Sequence, residues 1–368
     1  MVINKFDQHW MTHALQVARK GRYAFPNPQV GAVIVRKNRI LADGFHKQYG
    51  KNHAEIEALQ KLNFKAPETT LYVTLEPCSH YGKTAPCVDA IIKAGISRVV
   101  ASMEDPFPKV RGQGFKKLMK AGIKVTTGVL EKEARELNAG FIFSQLNQQP
   151  YVVMKIAMTL DGKIASHQYP KSWITNERSR KLVHEWRSRS DAILIGYKTV
   201  INDNPALTVR LRGFKRTDGW PWKVILDPQL QISTSGKIWE GFQNVLIFTS
   251  KESSIDRQKH MEKNGAKIFR VSKNSEGLNL KEILKYLYQC GVYRLLVEGG
   301  SGIFTSFLNQ QYVNELKLFI APRIFGSTGL PWFQGKMMHA GRRIFQDMHW
   351  IERRIQNDIL IEGTFKKH

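Results

Sequence analysis

The sequence predicts an α/β protein built as two consecutive layered domains. Strand-like apolar runs alternate with amphipathic helical patterns along the chain, the order expected of helices packed on a sheet. The alternation pauses at the polar run Gln145-Leu146-Asn147-Gln148-Gln149-Pro150, the best linker signal present. A length of 368 residues allows two or three domains that each bury a core. The boundaries read as 1–147 and 148–368.

The first half opens with an amphipathic helix over residues 6–22, with Trp10, Met11, Ala14, Leu15, Val17 and Ala18 on one face. Ala24-Phe25-Pro26-Asn27-Pro28 follows as a rigid extended loop, because each proline restricts itself and its predecessor. Such a loop can aim Asn27 at a ligand. Strands 31–35 and 40–45 flank Lys37-Asn38 as a hairpin, and His46 after them reads, in isolation, as an exposed imidazole. A helix capped by Asn52 then begins at His53-Ala54-Glu55 and carries Ile56, Ala58 and Leu59. A strand over 70–75, a helix over 87–94 ended by Gly95, and a buried strand over 97–102 come next. Helix 114–121, strand 123–127 and helix 132–143 close the domain.

The second half starts with strand 151–158, which leads into Thr159-Leu160-Asp161-Gly162-Lys163-Ile164-Ala165. Helix 179–189 precedes strand 192–196, and strands follow at 223–226, 245–249 and 267–271. Helix 280–290, strand 294–297, helix 303–309 and strands 315–320 and 359–363 complete the pattern. Between strand 294–297 and its helix lies the turn Glu298-Gly299-Gly300-Ser301-Gly302. Glycines that end a strand and open a helix present backbone amides to an anion such as a pyrophosphate. The G-x-G-x-x-G fingerprint fails, since position 305 is Thr, and glycines in a tight turn can equally be structural.

Composition narrows the function. Apolar residues make up 42% and charged residues 24%, the balance of a globular protein. No apolar run approaches the roughly 18 residues a membrane span needs. Met1 to His9 is polar and mixed, without a signal-peptide core, so the expectation is a cytoplasmic protein with no membrane partner. Three cysteines fit a reducing compartment, and Cys290, following Leu287 in a helical pattern, is expected as a packed core thiol. Fifty-six basic against 31 acidic residues give a formal charge of +25. The lysines and arginines are scattered, with no basic run or RNA-stacking signature, which reads as solvated surface plus sites for phosphorylated small molecules instead of a nucleic-acid interface. A homo-oligomer is compatible with the sequence, which does not specify one.

The chemistry concentrates in His53-Ala54-Glu55, Pro77-Cys78 and Cys87. One imidazole and two thiolates leave a tetrahedral Zn²⁺ with one open position for water, which the metal ionises near neutral pH. Glu55 is too close to His53 in sequence to be a comfortable fourth ligand, but it is well placed to carry a proton between that water and a substrate. A lone Cys or His is usually packing or surface. Here a helix start and a strand end give the set an ordered context. His-x-Glu followed by Pro-Cys is the general pattern of zinc nucleobase deaminases, with one departure: eight residues, Ser79 to Pro86, separate the cysteines where two are usual.

These motifs resemble those of the bifunctional deaminase/reductase family of riboflavin biosynthesis over essentially the full chain. The resemblance rests on Pro26-Asn27-Pro28-Gln29-Val30-Gly31-Ala32-Val33, on His53-Ala54-Glu55, and on Glu76-Pro77-Cys78 through Cys87, whose wide cysteine spacing marks this branch. Thr159 to Ala165, Asp203-Asn204-Pro205-Ala206-Leu207-Thr208-Val209-Arg210 and Glu298-Gly299-Gly300 extend it downstream. It implies an N-terminal cytidine-deaminase-like three-layer α/β domain and a C-terminal dihydrofolate-reductase-like α/β domain, with Zn²⁺ and NADPH as cofactors. The implied substrate is a phosphorylated pyrimidine. 2,5-Diamino-6-ribosylamino-4(3H)-pyrimidinone 5′-phosphate would lose its ring 2-amino group to water, and the ribosyl group of the product would be reduced to ribityl.

By the same resemblance His53, Cys78 and Cys87 hold zinc beside the catalytic Glu55, while Asn27, His46, His80, Lys83 and Asp105 hold the substrate. NADPH is expected near Ala157, Trp173, Thr199, Asp203 and the turn of Gly300, Ser301, Gly302, Ile303, Phe304, Thr305 and Ser306. In the reductase site Lys155, Arg187, Leu207, Arg210 and Glu298 are expected to meet substrate, the two arginines as phosphate forks. Lys155 and Glu298 are the groups proposed there for the proton. The family usually reads Asp-Pro-Asn-Pro where this chain has Asp105-Pro106-Phe107-Pro108, so an amide contact to the sugar is missing. Two rivals stand beside this reading. A nucleic-acid base deaminase is favoured by the zinc motif and the charge, and disfavoured by the cysteine spacing and the long second domain. A structural zinc module would need Glu55 or His80 as a fourth ligand.

Overall fold

The computed structural model describes residues 4–21, 24, 27–81, 85–107, 111–166, 173–211, 221–240, 244–335 and 348–365. The chain divides into two compact units, Met1–Gln148 and Gln149–His368.

The first unit runs α1 (Lys5–Ala18), β1 (Gly31–Arg36), β2 (Arg39–Phe45), α2 (Ala54–Gln60), β3 (Thr70–Val73), α3 (Cys87–Lys93), β4 (Arg98–Ala101), α4 (Gln113–Lys120), β5 (Lys124–Thr126), α5 (Glu131–Leu137) and α6 (Ala139–Asn147). Its sheet has the order β2-β1-β3-β4-β5. β1 is antiparallel to both its neighbours and the rest are parallel. Alternate strand residues feed two cores. Ala32, Ile34, Leu71, Val73 and Val99 pack with residues of α2, α3 and α4 on one face. Val33, Val35, Tyr72 and Val100 pack with α1 and with Ala134 of α5 on the other. This is the expected three-layer arrangement.

Local chemistry explains several joints. Lys37 and Asn38 both take positive φ, 46° and 61°, as the tight hairpin turn requires. Buried Asp7 of α1 accepts both terminal nitrogens of Arg98 at 2.9 and 2.7 Å and the Tyr72 hydroxyl at 2.9 Å, which fastens α1 to the sheet. Gly44 lets α2 lie directly on β2, since a Cβ there would sit 2.3 Å from the Ala54 carbonyl oxygen.

The helix expected over 132–143 is two helices broken at Asn138. The Asn138 side chain accepts from Gln29 N (2.8 Å) and donates to Gln29 O (3.1 Å), a use of its amide that anchors the loop behind Asn27. α6 then continues to Asn147, into the stretch expected as linker.

The second unit runs β6 (Tyr151–Thr159), β7 (Lys163–Ser166), α7 (Glu177–Ser188), β8 (Ala192–Gly196), α8 (Tyr197–Asp203), β9 (Trp222–Leu226), β10 (Val245–Ser250), α9 (Ile255–Lys263), β11 (Lys267–Val271), β12 (Lys273–Asn274) and β13 (Gly277–Leu278). It continues with α10 (Leu280–Gln289), β14 (Arg294–Val297), α11 (Ser301–Asn309), β15 (Glu315–Ala321), β16 (Gly329–Pro331), β17 (Met348–Ile355) and β18 (Asp358–Phe365). Nine strands form one sheet in the order β11-β10-β9-β8-β14-β6-β15-β18-β17. The strands from β11 to β15 in that order are parallel, and β18 and β17 are antiparallel additions. Such strands are buried on both faces and read as continuous apolar runs, as β8 and β10 do. Residues of α10 and α11 fill one face, and residues of α8 and α9 fill the other.

α8, α9 and β17 carried no expectation from the sequence. Cys290 is exposed, not a core thiol, because it stands at the end of α10 beyond Leu287, the last buried position. Among the described residues no helix is long and apolar enough to cross a membrane.

Gly44→Ala forces α2 away from β2. Overpacking of this kind costs about 1–3 kcal/mol. Thermal unfolding should show a lowered midpoint with weaker zinc retention, because the first expected metal ligand, His53, stands at the start of α2.

Candidate functional site

Three segments bring the zinc ligands together. His53 is itself the residue before the first turn of α2, with φ −71° and ψ 162°, so Glu55 falls in that first turn. Asn52, expected as the cap, instead gives its carbonyl to His46 Nδ1 at 2.9 Å. Cys78 follows the end of β3, and Cys87 opens α3. The Cys87 N–H donates to Cys78 Sγ at 3.3 Å and the Val88 N–H to the Cys78 carbonyl at 3.2 Å, so the start of α3 holds Cys78 in place across the wide spacing.

His53 Nδ1 lies 3.2 Å from Cys87 Sγ and 3.4 Å from Cys78 Sγ, and the three ligand atoms lie within 4.8 Å of one another. Tetrahedral zinc with Zn–N of about 2.0 Å and Zn–S of about 2.3 Å sets N···S separations of about 3.5 Å, so the residues fit the ion. The two sulfurs divide their protons unequally. The hydrogen bond with Cys87 pulls the Cys78 thiol down to about 4, while the same bond and burial hold Cys87 well above its ordinary value. Zinc binds both as thiolates and releases the remaining proton. Glu55 is only 3% exposed, and burial pushes its carboxyl up to about 7. A group of that pKa can both take and give a proton at neutral pH.

Asn27 and His46 join the metal cluster. Asn27 Nδ2 donates to His46 Nε2 at 3.0 Å. The Asn52 carbonyl can only accept, so Nδ1 of His46 carries the proton and the ring is neutral; burial pushes its pKa down in the same sense. His46 is buried, unlike its reading in isolation, and its ring meets that of His53 edge-on with centroids 5.5 Å apart. His80 and Asp105 line one pocket with Glu76, Pro77, Cys78 and Ser79. Asp105 accepts from the Phe107 N–H at 2.8 Å, and burial pushes its carboxyl up. Phe107 is exposed. Lys83 lies outside the described residues.

Glu76 is a site residue that sequence reasoning missed. It is buried, and its carboxylate accepts from the N–H groups of Asp105 (3.1 Å), Gly112 (2.8 Å) and Gly114 (2.8 Å). Gly114 must be glycine for this clasp, since a Cβ would stand 2.1 Å from the Pro77 carbonyl oxygen. The available signal was a carboxylate placed directly between the apolar strand end and Pro77-Cys78.

In the second unit β6 and β14 pair with Met154 opposite Val297, which puts Lys155, in the middle of β6, level with Glu298 just past the carboxyl end of β14. Arg187 of α7 forms a two-pronged ion pair with Glu298, Nε to Oε1 at 2.6 Å and Nη2 to Oε2 at 2.8 Å, and donates to the Thr208 carbonyl at 3.1 Å. Burial pushes the Lys155 ammonium down. Burial would raise Glu298, but Arg187 holds it below the usual carboxylate range. His184 of α7, absent from the sequence reading, joins this group through Arg210. Its signal was a spacing of three from Arg187. Leu207 is buried at a left-handed φ of 48° and packs with Ile193, Ile195 and Val200.

β8 and β14 are neighbours whose following chain departs in opposite directions, to β9 and to β15. Such a switch point leaves a crevice at the strand ends where nucleotides bind. α8 and α11 begin there side by side: a Cβ on Gly299 would be 3.2 Å from Gly196 N, and one on Gly300 3.5 Å from Thr199 Oγ1. No side chain caps α8 or α11 at Gly196 or Gly300, so backbone donors face the crevice and fit a pyrophosphate. The side chains of the turn serve the fold. Ser301 donates to the Pro331 carbonyl, Thr305 accepts from Gln334 N at 3.0 Å, and Ser306 donates to the Glu276 carbonyl at 3.1 Å. Phe304 is in the core and Ile303 packs against it. Asp203 is exposed at the end of α8, and Ala157 lies on β6. Trp173 is exposed, with the Arg180 guanidinium 4.9 Å over its ring.

The two centres define a zinc-binding deaminase joined to a reductase. Residues 4–103 match the cytidine and deoxycytidylate deaminase zinc-binding region, and residues 150–360 match the RibD C-terminal domain. The riboflavin biosynthesis protein RibD of Aquifex aeolicus is 43% identical over 326 residues, covering 88% of this chain and 89% of that protein. That of Escherichia coli is 35% identical over 331 residues, covering 87% and 89%. Acinetobacter baumannii RibD superposes with a TM-score of 0.88 at 32% identity, covering 99% of each chain. The Thermotoga maritima diaminohydroxyphosphoribosylaminopyrimidine deaminase/5-amino-6-(5-phosphoribosylamino)uracil reductase does so with 0.82 at 35%, covering 98% of each. The chain belongs to the RibD family of bifunctional riboflavin-biosynthesis deaminase/reductases.

The ligand set predicts one zinc per chain. Metal analysis of purified protein should find it, and Cys87→Ser should lose most of it; equal zinc in both would remove Cys87 from the set.

Proposed function

We propose that residues 1–147 deaminate, and residues 148–368 then reduce, a phosphorylated pyrimidine of the kind named for the Thermotoga relative. The observation that carries this is the His53, Cys78 and Cys87 triangle with buried Glu55 in the first turn of α2, two residues after His53. Zinc, when bound, supplies an ionised water near neutral pH. Glu55 takes one proton from that water and gives it to the ring nitrogen next to the attacked carbon, then takes the second proton from the new hydroxyl and passes it to the departing amine as the C–N bond breaks. Water replaces the 2-amino group and ammonia leaves. Asn27, held by the neutral His46, offers its side-chain amide on the His53 side, and Asp105 and His80 offer polar atoms on the Cys78 side.

In the second unit NADPH, when bound, supplies hydride to the first carbon of the ring-opened ribosyl group. The backbone at Ser301 and Gly302 and the Thr199 hydroxyl hold its phosphates, with Ala157, Trp173 and Asp203 along its length. Lys155 donates the accompanying proton, which its lowered pKa makes easier, and Glu298 keeps the ammonium oriented. Arg187 is occupied by Glu298 and Thr208, which leaves exposed Arg210 as the fork for the substrate phosphate. Thiolate zinc ligands and a free Cys290 suit a reducing cytoplasm.

Glu55→Gln keeps the size of the side chain and cannot shuttle protons. It should retain zinc and lose ammonia release by about 10²-fold or more. Oxidation of NADPH with the already deaminated phosphate should continue unchanged. If a folded, zinc-loaded Glu55→Gln protein failed in that second assay, a composite site would have to replace the two-site reading. The reverse substitution checks the other half: Lys155→Met should lower NADPH oxidation by about 10²-fold or more while ammonia release persists.

A further inference from the structure

α7 presents two side chains, one turn apart, to a single extended segment. Arg187 Nη1 donates to the Thr208 carbonyl at 3.1 Å, and the backbone N–H of Arg210 donates to His184 Nδ1 at 3.2 Å. The Arg210 guanidinium Nη2 stands 3.4 Å from Nε2 of the same ring. Spacing of three residues places His184 and Arg187 on one helix face. The segment they hold, 208–211, belongs to no helix or strand and follows two non-glycine residues at left-handed φ, Asn204 at 43° and Leu207 at 48°. No sheet ladder fixes its register, so side-chain anchors from α7 do.

We propose that His184 is a positioning residue of the reductase site, a neutral acceptor that fixes the backbone of Arg210 and so sets its guanidinium for the substrate phosphate. This rests on the reading of Arg210 as the phosphate fork. Because Nδ1 accepts from a backbone N–H, the proton of the ring sits on Nε2, so the 3.4 Å approach of Arg210 Nη2 to Nε2 is a contact between donors and the backbone bond alone is the anchor. Burial, then Arg187 and Arg210, push the imidazole down to about 4, so it stays an acceptor at neutral pH. A charged ring would turn a donor toward the Arg210 N–H and stand against both guanidinium groups. What matters at position 184 is therefore a bare acceptor, not a cation. That separates this role from a phosphate-binding histidine.

Two substitutions in the full-length, zinc-loaded protein test it, with NADPH oxidation followed against the deaminated phosphate and with ribose 5-phosphate as inhibitor. His184→Leu removes the acceptor at similar size. His184→Asn keeps one, because its side-chain oxygen can occupy the place of Nδ1. His184→Leu should raise KM for the substrate and the inhibition constant of ribose 5-phosphate together by about tenfold, the equivalent of one hydrogen bond of about 1.4 kcal/mol. kcat and KM for NADPH should stay where they are, and His184→Asn should recover most of the loss. The inference is overturned if His184→Leu leaves both constants unchanged, if Asn is as damaging as Leu, or if kcat and KM for NADPH deteriorate alongside. Arg210→Ala separates the two layers. Unchanged inhibition by ribose 5-phosphate in that variant removes Arg210 as the fork and His184 with it; weakened inhibition there with none in His184→Leu removes only the inference.

Discussion

Three ligand atoms from three separate segments have to meet around one point while a carboxylate stays buried beside them, and the first unit is arranged to make that hold. His53 can serve because α2 lies flat on β2 at Gly44, with no side chain between them. Cys78 can serve because Glu76, two residues earlier, binds three backbone N–H groups of the 105–114 stretch. Cys87 opens the helix whose first N–H reaches back to Cys78. Each ligand is fixed by backbone-level contacts before any metal is considered, so an ion pays little to organise its shell. Burial of Glu55 in the same place raises its pKa toward neutrality, and packing thereby sets the chemistry.

The second unit solves a different electrostatic problem. Lys155, Arg187 and Glu298 are all withdrawn from water, and two cations share one carboxylate. Charges at this depth persist only when paired with good geometry, and the two-pronged Arg187–Glu298 contact supplies it. The consequence is that Lys155 is the weaker partner, left with a lowered pKa and free to part with its proton. On the proposed cofactor side, the starts of α8 and α11, uncapped by side chains and brought together at Gly196, Gly299 and Gly300, offer backbone dipoles instead.

Two second-tier groups connect these centres to the scaffold. Asn138 pairs with both backbone groups of Gln29 and steadies the loop that carries Asn27. His184 does a related task for the segment that carries Arg210. In both, a neutral side chain recognises the backbone of a loop that carries a candidate substrate contact. The scattered basic residues fit this organisation: Arg187, Arg294, Lys317 and Arg353 each lie within ion-pairing distance of a carboxylate in the second unit.

The sequence by itself determined the α/β class of both halves, the hairpin at Lys37-Asn38, the zinc triad with Glu55, and the family, because each is written in local spacing: strand and helix periods, a positive-φ turn, and ligands bracketed by a strand end and two helix starts. It could also point to the glycine turn after β14, since a strand ending in glycines before a helix is a local signal. Only the tertiary structure decided the rest. Nothing local says that Asn138 breaks a helix to reach Gln29, 109 residues away, or that Glu76 clasps residues 105–114. Asn52 looked like a cap because its type favours caps, yet His53 takes the cap position, and the Asn52 side-chain amide donates to Glu57 and Gln60 while its backbone carbonyl accepts from His46. α8 and α9 are short and mostly polar, and β17 is an edge strand with an exposed face, so none shows the apolar period by which elements are read. Cys290 was legible as helical but not as exposed, because the period of α10 gives the buried side without saying where the sheet beneath it ends. His184 belongs with these: its spacing from Arg187 is visible in the chain, but the segment it holds arrives from 26 residues downstream, and only folding brings the two together.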